Sequence, residues 1–300
     1  MGTDNFEGRQ DLLITIKGAL SRRIAGTTRS IGMYGQGGIG KTQLAIHYAL
    51  QMRAEYRTVY FFDARSEEDL RASIESFYEY LLAKDDERLR LTAKTNRQDK
   101  IATILDWFDA EQNWLLVYDN FDEQEGTRVD VGPGQSREPF NPRMYFPRYS
   151  ATGHIILIGR APNTAKYTRD AVQVLGLEPS EAIQMLFDQI KMSPQPNADD
   201  SGLNAQRECA SRIVESLNNI PLFIEVAANY IRSNQMTLHE FLIALQREKE
   251  SMQHATPRGM LREAFAIWQM SLVPLQDRSE PMLLLHLFSF LDGASISARL

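Results

Sequence analysis

One stretch constrains this chain more than any other: Gly35-Gln36-Gly37-Gly38-Ile39-Gly40-Lys41-Thr42 satisfies the pattern G-x-x-x-x-G-K-[ST] in full. Ile31-Gly32-Met33-Tyr34 before it reads as a short strand. After it Leu44, Ala45, Tyr48, Ala49 and Met52 recur at helical spacing. Strand, glycine-rich turn and helix in that order are the context the pattern requires. Glycines let successive backbone N–H groups turn inward around phosphate oxygens, where larger residues would block the approach. Lys41 adds a point charge for β- and γ-phosphates, the Thr42 hydroxyl suits Mg2+, and the new helix offers its positive N-terminus to the anion. The expected phosphate cradle is therefore Gly35, Gly37, Gly38, Ile39, Gly40, Lys41 and Thr42.

The rest of the first half alternates strands and helices. Thr58–Phe62 is rich in β-branched and aromatic residues, Trp114–Tyr118 is a near-continuous apolar run, His154 leads into Ile155–Ile158, and Val172–Leu175 reads as a short fifth strand. Helical spacing covers 10–24, the segment opened by Ser66 and Asp69, and about 98–110. The mixed-charge stretch 84–100 reads as a solvated connection; 122–150, with Gly132-Pro133-Gly134, reads as a long loop. Beyond about residue 178 only helical patterns follow: 180–190, 205–217, 221–232, 237–248, 260–270 and 281–291. These patterns predict a parallel α/β domain over 1–177, a helical domain over 178–255, and the start of a third domain over 256–300.

Composition narrows the function classes. With 43% hydrophobic and 24% charged residues in 300, the chain is globular rather than disordered. A net charge of −6 argues against broad nucleic-acid binding, and none is expected. The single cysteine, Cys209, excludes an internal disulfide and favours a reducing compartment. The longest apolar stretch, Met282–Leu291, is ten residues, half of the roughly 20 a bilayer demands, and the N-terminus lacks the regions of a signal peptide. No membrane partner is expected, and a cytoplasmic location is.

Three further positions are candidates, each with a plain alternative. Asp119 follows the buried strand at 114–118, where a carboxylate would reach the ligand crevice and hold a Mg2+ water shell; the alternative is an Asp-Asn turn. Arg160 follows the fourth strand and would meet the γ-phosphate, or is a surface arginine. Pro221 opens a helix, a common place for proline, and would also contact nucleotide. The residue after Asp119 is Asn120, and no acid is placed to activate water, so hydrolysis is expected to be slow or negligible and no catalytic residue is assigned beyond the candidates Asp119 and Arg160. The histidines show no ligand spacing, which excludes a zinc reading.

The order and spacing of these pieces resemble the NB-ARC branch of the STAND nucleotide-binding switches, most closely the fungal NLR-like type. Phe6-Glu7-Gly8-Arg9-Gln10 resembles that family's "FxGRE" linker, Gly35–Ala45 its "GxGGIGKTxLA", Trp114–Asn120 its "WLLVxDN", Gly153–Arg160 its "GHIxITSR", and Ile220-Pro221-Leu222 part of "GLPLA". The resemblance implies a P-loop sheet in the order 2-3-4-1-5, a helical ARC bundle and a winged helix beginning near 256. It also implies ADP in a resting state, exchange for ATP, and homo-oligomerisation on activation, in signalling or defence. Carried over, Gln43 would approach the α-phosphate, Thr42 and Asp119 the Mg2+, Arg160 the γ-phosphate, Pro221 the adenine, and Phe6 and Arg9 the adenine and ribose side. Departures stand at Gln10, Leu222-Phe223 and Ile158-Gly159, the last where Thr-Ser would precede the arginine. The loop around Gly132–Phe146 has no counterpart, and the expected winged helix breaks off before the histidine that contacts ADP's β-phosphate in that family. Two other readings stay open: a partner-stimulated ATPase of AAA+ or initiator type, and an interaction scaffold with a permanently bound nucleotide.

Overall fold

Trp114, Leu115, Leu116, Val117 and Tyr118 are all buried, which requires protein on both faces of the strand they form. The computed structural model describes residues 8–22, 28–84, 96–121, 140–191 and 200–251, with Ala266 and Met270. Phe6 and most of the expected winged-helix segment 256–300 lie outside the described residues. Two units are present, Met1–Leu175 and Gly176–Leu300.

In the first unit the elements run α1 (Gln10–Ser21), β1 (Arg29–Tyr34), α2 (Lys41–Gln51), β2 (Thr58–Asp63), α3 (Glu67–Ala83), α4 (Arg97–Ala110), β3 (Trp114–Phe121), β4 (His154–Gly159) and β5 (Asp170–Gln173), with short 3-10 turns at Pro142–Tyr145 and Pro162–Lys166. The strands form one sheet in the order β2-β3-β4-β1-β5, every pair parallel. This is the order the resemblance implied. Helix starts follow local chemistry. Ser66 Oγ accepts from the Asp69 backbone N–H at 3.1 Å, and Asn96 Oδ1 from that of Asp99 at 2.9 Å. Asp69, one methylene shorter than a capping-box Glu, takes the Ser66 hydroxyl instead of reaching the cap backbone.

Alternate residues of the central strands face opposite sides of the sheet. Leu116 and Tyr118 of β3, with Ile155 and Leu157 of β4, join Ile74 and Phe77 of α3 and Ile104 and Phe108 of α4 in one core. The Trp114 indole N–H donates to Phe108 O at 2.8 Å, so its one polar atom is satisfied in the core. The Trp114 ring also fixes Gly153, since a Cβ there would lie 2.2 Å from it. On α4, Arg97 and Lys100 both pair with Glu75 of α3, and Lys100 also with Glu79.

Three expectations of the first unit need correction. β3 continues past Tyr118 to Phe121, because a bulge between Tyr118 and Phe121 keeps it paired with Gly159 of β4. β5 spans 170–173 rather than 172–175, for Val174 and Leu175 leave the ladder once the Val174 N–H has bonded Tyr34 O at 2.8 Å. The stretch 122–150 is not loop throughout. Its 3-10 turn at 142–145 drives Tyr145 into the core, where its carbonyl accepts from the Tyr118 hydroxyl at 2.7 Å.

The second unit is helical: α5 (Pro179–Ile190), α6 (Asp200–Ser216), α7 (Pro221–Ser233) and α8 (Leu238–Ser251). Glu178 and Glu181 form a capping box around Pro179 at the start of α5. Its core gathers Leu186, Ile213, Leu217, Ile224, Ala228, Phe241 and Leu245, joined by helical Ala266 and Met270 from the expected 260–270 helix.

Candidate functional site

The turn from β1 to α2 has the backbone that its glycines permit. Gly38 (φ 77°) and Gly40 (φ 89°) take left-handed conformations, and Gly40 is the N-cap of α2. Gly35 is closed in by the neighbouring strand: a Cβ there would lie 2.3 Å from Val174 O, and its φ of 153° is itself strained for a side chain. At Gly37 a Cβ would meet nothing within 4 Å, so that position faces open space. Ile39 is buried and anchors the turn.

Lys41 is buried, and its Nζ donates to Gly35 O at 2.7 Å and Gln36 O at 2.9 Å. The ammonium thus lies across the loop that would surround a phosphate. The Thr42 hydroxyl donates to Asp119 Oδ2 at 2.9 Å, joining the first turn of α2 to β3 across 77 residues of sequence. Asp119 is aimed by the bulge. Asn120 adopts φ 64°, and its N–H donates to Asp119 Oδ1 at 2.8 Å, so both carboxylate oxygens are positioned. Hydroxyl and carboxylate oxygens at the head of a helix are the hard donor set that suits Mg2+. The loop and this pair therefore fit a Mg-nucleotide. Gln43 is exposed on the first turn of α2.

Arg9 meets the same region by a route invisible in the motif. Gly8 (φ 94°) and Arg9 (φ 60°) make a left-handed turn that caps α1, and Arg9 Nη2 donates to Leu175 O at 3.1 Å. Leu175 follows Val174, whose carbonyl covers Gly35. Arg160 is exposed directly after Gly159, the register partner of Tyr34, so it leaves the sheet on the edge from which the glycine loop rises. The departure at Gly159 has a packing cause: a Cβ there would lie 2.2 Å from Thr164 Oγ1 and 2.5 Å from Phe121 O. Pro221 occupies the first turn of α7 in the second unit.

No protein-family model matches the chain. A nucleotide-binding leucine-rich repeat (NLR)-like protein from Hyaloscypha variabilis is 24% identical over 250 residues, covering 79% of this chain and 23% of that protein. The glycine loop, the Thr42–Asp119 pair and the strand order already described give the first unit the P-loop NTPase fold. The chain spans less than a quarter of the relative's length. Among solved structures, Drosophila ORC bound to DNA matches with a TM-score of 0.50 at 13% identity, over 85% of this chain and 70% of that one. A STAND protein with a tetratricopeptide repeat sensor from Pyrococcus horikoshii matches with a TM-score of 0.46 at 18% identity, over 82% and 33%.

The structure of this P-loop unit adds one residue that sequence reasoning passed over. Asp63 ends β2 and is the register partner of Asp119, and its carboxylate accepts the Arg65 backbone N–H and guanidinium, each at 3.2 Å. Its position after the apolar run 58–62 repeats the pattern that singled out Asp119, and that was the available signal. Thr164, buried beneath Gly159, carried none. Among the described residues no cluster of three metal-ligating side chains occurs, and no helix is long and apolar enough to cross a membrane.

Proposed function

We propose that this chain is an ADP/ATP-binding regulatory switch of NLR/STAND type, Mg2+-dependent and slow or inert in hydrolysis. The observation that carries the reading is the Thr42–Asp119 hydrogen bond beneath a glycine loop closed by Lys41. Among the described residues, the two acids that end β2 and β3 are both engaged, Asp119 with Thr42 and Asn120 and Asp63 with Arg65, which supports binding over turnover.

In this reading the loop N–H groups and Lys41 bind the phosphates, Gln43 approaches the α-phosphate, and Thr42 and Asp119 hold Mg2+. When bound, the metal neutralises charge on the β- and γ-phosphate oxygens. Arg160 senses the γ-phosphate, while Phe6, Arg9 and Pro221 contact the adenine and ribose side. ATP in place of ADP then favours homo-oligomers in a cytoplasmic signalling or defence role.

The deciding experiment denatures the purified protein and identifies released nucleotide by chromatography, before and after incubation with excess Mg-ATP. ADP that exchanges slowly for ATP, with turnover below about 0.01 s⁻¹, is the expected result. Absence of nucleotide together with no binding of either one would overturn the reading, and rapid multiple turnover would replace it with an ATPase.

A further inference from the structure

We infer that the outer edge of β2 is a dimerisation surface, on which a second copy of this chain adds its own β2 in antiparallel register about a two-fold axis through Tyr60. β2 ends the sheet order β2-β3-β4-β1-β5, and among the described residues no strand pairs with its outer side. The N–H and C=O groups of successive strand residues point to opposite edges. Directly after the strand, Ala64 N–H donates to Asp119 O at 2.7 Å, so Tyr60 and Phe62 face β3 while Val59 and Phe61 turn their backbone groups outward. Asp63 N–H has the same phase as the outward pair and donates to Ser73 Oγ of α3 at 3.3 Å. Arg57 N–H is taken by Asn113 O at 2.6 Å. The open part of the edge is therefore Val59 to Phe61.

Unpaired edges are commonly guarded by charge, proline or shortness. β5, the other edge, is four residues long and opens on Asp170, which pairs with Arg22 at 3.3 Å. β2 has six residues, and Thr58-Val59-Tyr60-Phe61-Phe62 holds neither charge nor proline. Val59 is 37% exposed. Tyr60 packs on Phe77 with ring centroids 4.3 Å apart, and the exposed Tyr80 stacks on the same ring at 6.2 Å, which gives the edge an aromatic rim. Charge decides the occupant. Arg57 precedes the strand and Asp63 ends it, opposite in sign. An axis through Tyr60 sets Val59 opposite the partner's Phe61 and Phe61 opposite the partner's Val59, pairs that exchange both N–H···O bonds. The same axis sets Arg57 opposite the partner's Asp63 at both ends and the two Tyr60 rings opposite each other. Moving the axis to Val59 or Phe61 loses the charge match and opposes an open residue to Arg57 or Asp63, whose N–H groups are already taken. Asp63 accepts from Arg65 within its own chain, and the remaining lone pairs of its carboxylate can take a second guanidinium. Two-fold symmetry makes each favourable pair occur twice.

Light scattering across a dilution series, with ADP present throughout, tests the edge. The parent should pass from dimer to monomer on dilution. K41A should do the same, which separates this surface from any nucleotide-driven assembly. V59P removes an outward N–H without breaking a bond to β3 and should be monomeric where the parent is dimeric. R57E and D63K each set like charges opposite one another at both ends, so each alone should dimerise roughly tenfold more weakly. An equimolar mixture of the two should recover a heterodimer of parental affinity. I14K, which alters an exposed apolar residue of α1, a helix packed on β1 and β5, should behave as the parent. A parent monomeric at every concentration would overturn the proposal and leave the edge to an extended segment of another protein. Parental dimerisation in V59P, a mixture no tighter than its components, or loss of the dimer in K41A or I14K would overturn it equally. Melting temperatures separate loss of the interface from loss of the fold; should D63K melt low, R57E and V59P decide.

Discussion

At residue scale the phosphate loop concentrates its chemistry in three side chains. On the proposed function the Lys41 ammonium exchanges its contacts with Gly35 O and Gln36 O for phosphate oxygens, so K41A should weaken ADP on the order of 100-fold, corresponding to about 3 kcal/mol for a charge-assisted hydrogen bond. Isothermal titration checks this; unchanged affinity would remove Lys41 from the site. Asp119 has a narrower expected role. Asn in its place can still accept from the Thr42 hydroxyl but loses the charge that favours a divalent cation. D119N should therefore bind ADP in EDTA like the parent and lose the gain in affinity on adding Mg2+. A gain of the parental size would show that the carboxylate only ends the strand.

At the scale of elements, the packing of β4 explains a departure from the resembled pattern. Gly159 lies under Phe121 O and Thr164 Oγ1 because the β3 bulge carries the chain across it. G159S, which restores the pattern's serine, should destabilise the protein by about 1–3 kcal/mol through overpacking, read by urea denaturation. At the other end of β4, His154 joins β1 to α2. The Arg29 guanidinium can only donate, so His154 Nε2 accepts from it at 3.0 Å, and His154 Nδ1–H donates to the Tyr56 hydroxyl at 2.6 Å. Tyr56 then donates to the Tyr48 hydroxyl of α2 at 3.2 Å. Burial first, and the Arg29 charge second, push His154 from 6.5 down to about 4. Between those values the unfolded chain takes up a proton that the folded chain refuses. Stability is full above pH 6.5 and falls by roughly 3 kcal/mol towards pH 4. Denaturation midpoints across that range should show this slope in the parent and a flatter one in H154A.

At the scale of the whole molecule, the proposed switch predicts a change of assembly with nucleotide. Size-exclusion chromatography with light scattering should show one mass with ADP and a larger one with Mg-ATP, and K41A should not respond to either. A single mass under all conditions would favour the scaffold reading. The helical unit makes a separate prediction. Met270 packs in the core of α5–α8, so M270D should cost on the order of 3 kcal/mol, read as a lowered melting temperature.

Much of this was legible in the amino-acid order because it depends on short-range chemistry. The glycine loop, the helix starts at Ser66 and Pro221 and the buried strand at 114–118 are each set by residues within a turn or two of one another, where backbone freedom, missing N–H groups and side-chain period act directly. What the order could not show depends on contacts between distant segments. The Thr42–Asp119 bond, Arg9 reaching Leu175 and the Phe121 carbonyl that demands glycine at 159 all arise when the parallel sheet brings remote strand ends together. The sequence determined which local pieces exist and that phosphate is what they suit; register and crossover, set by the packing of the whole core, decided which of them touch.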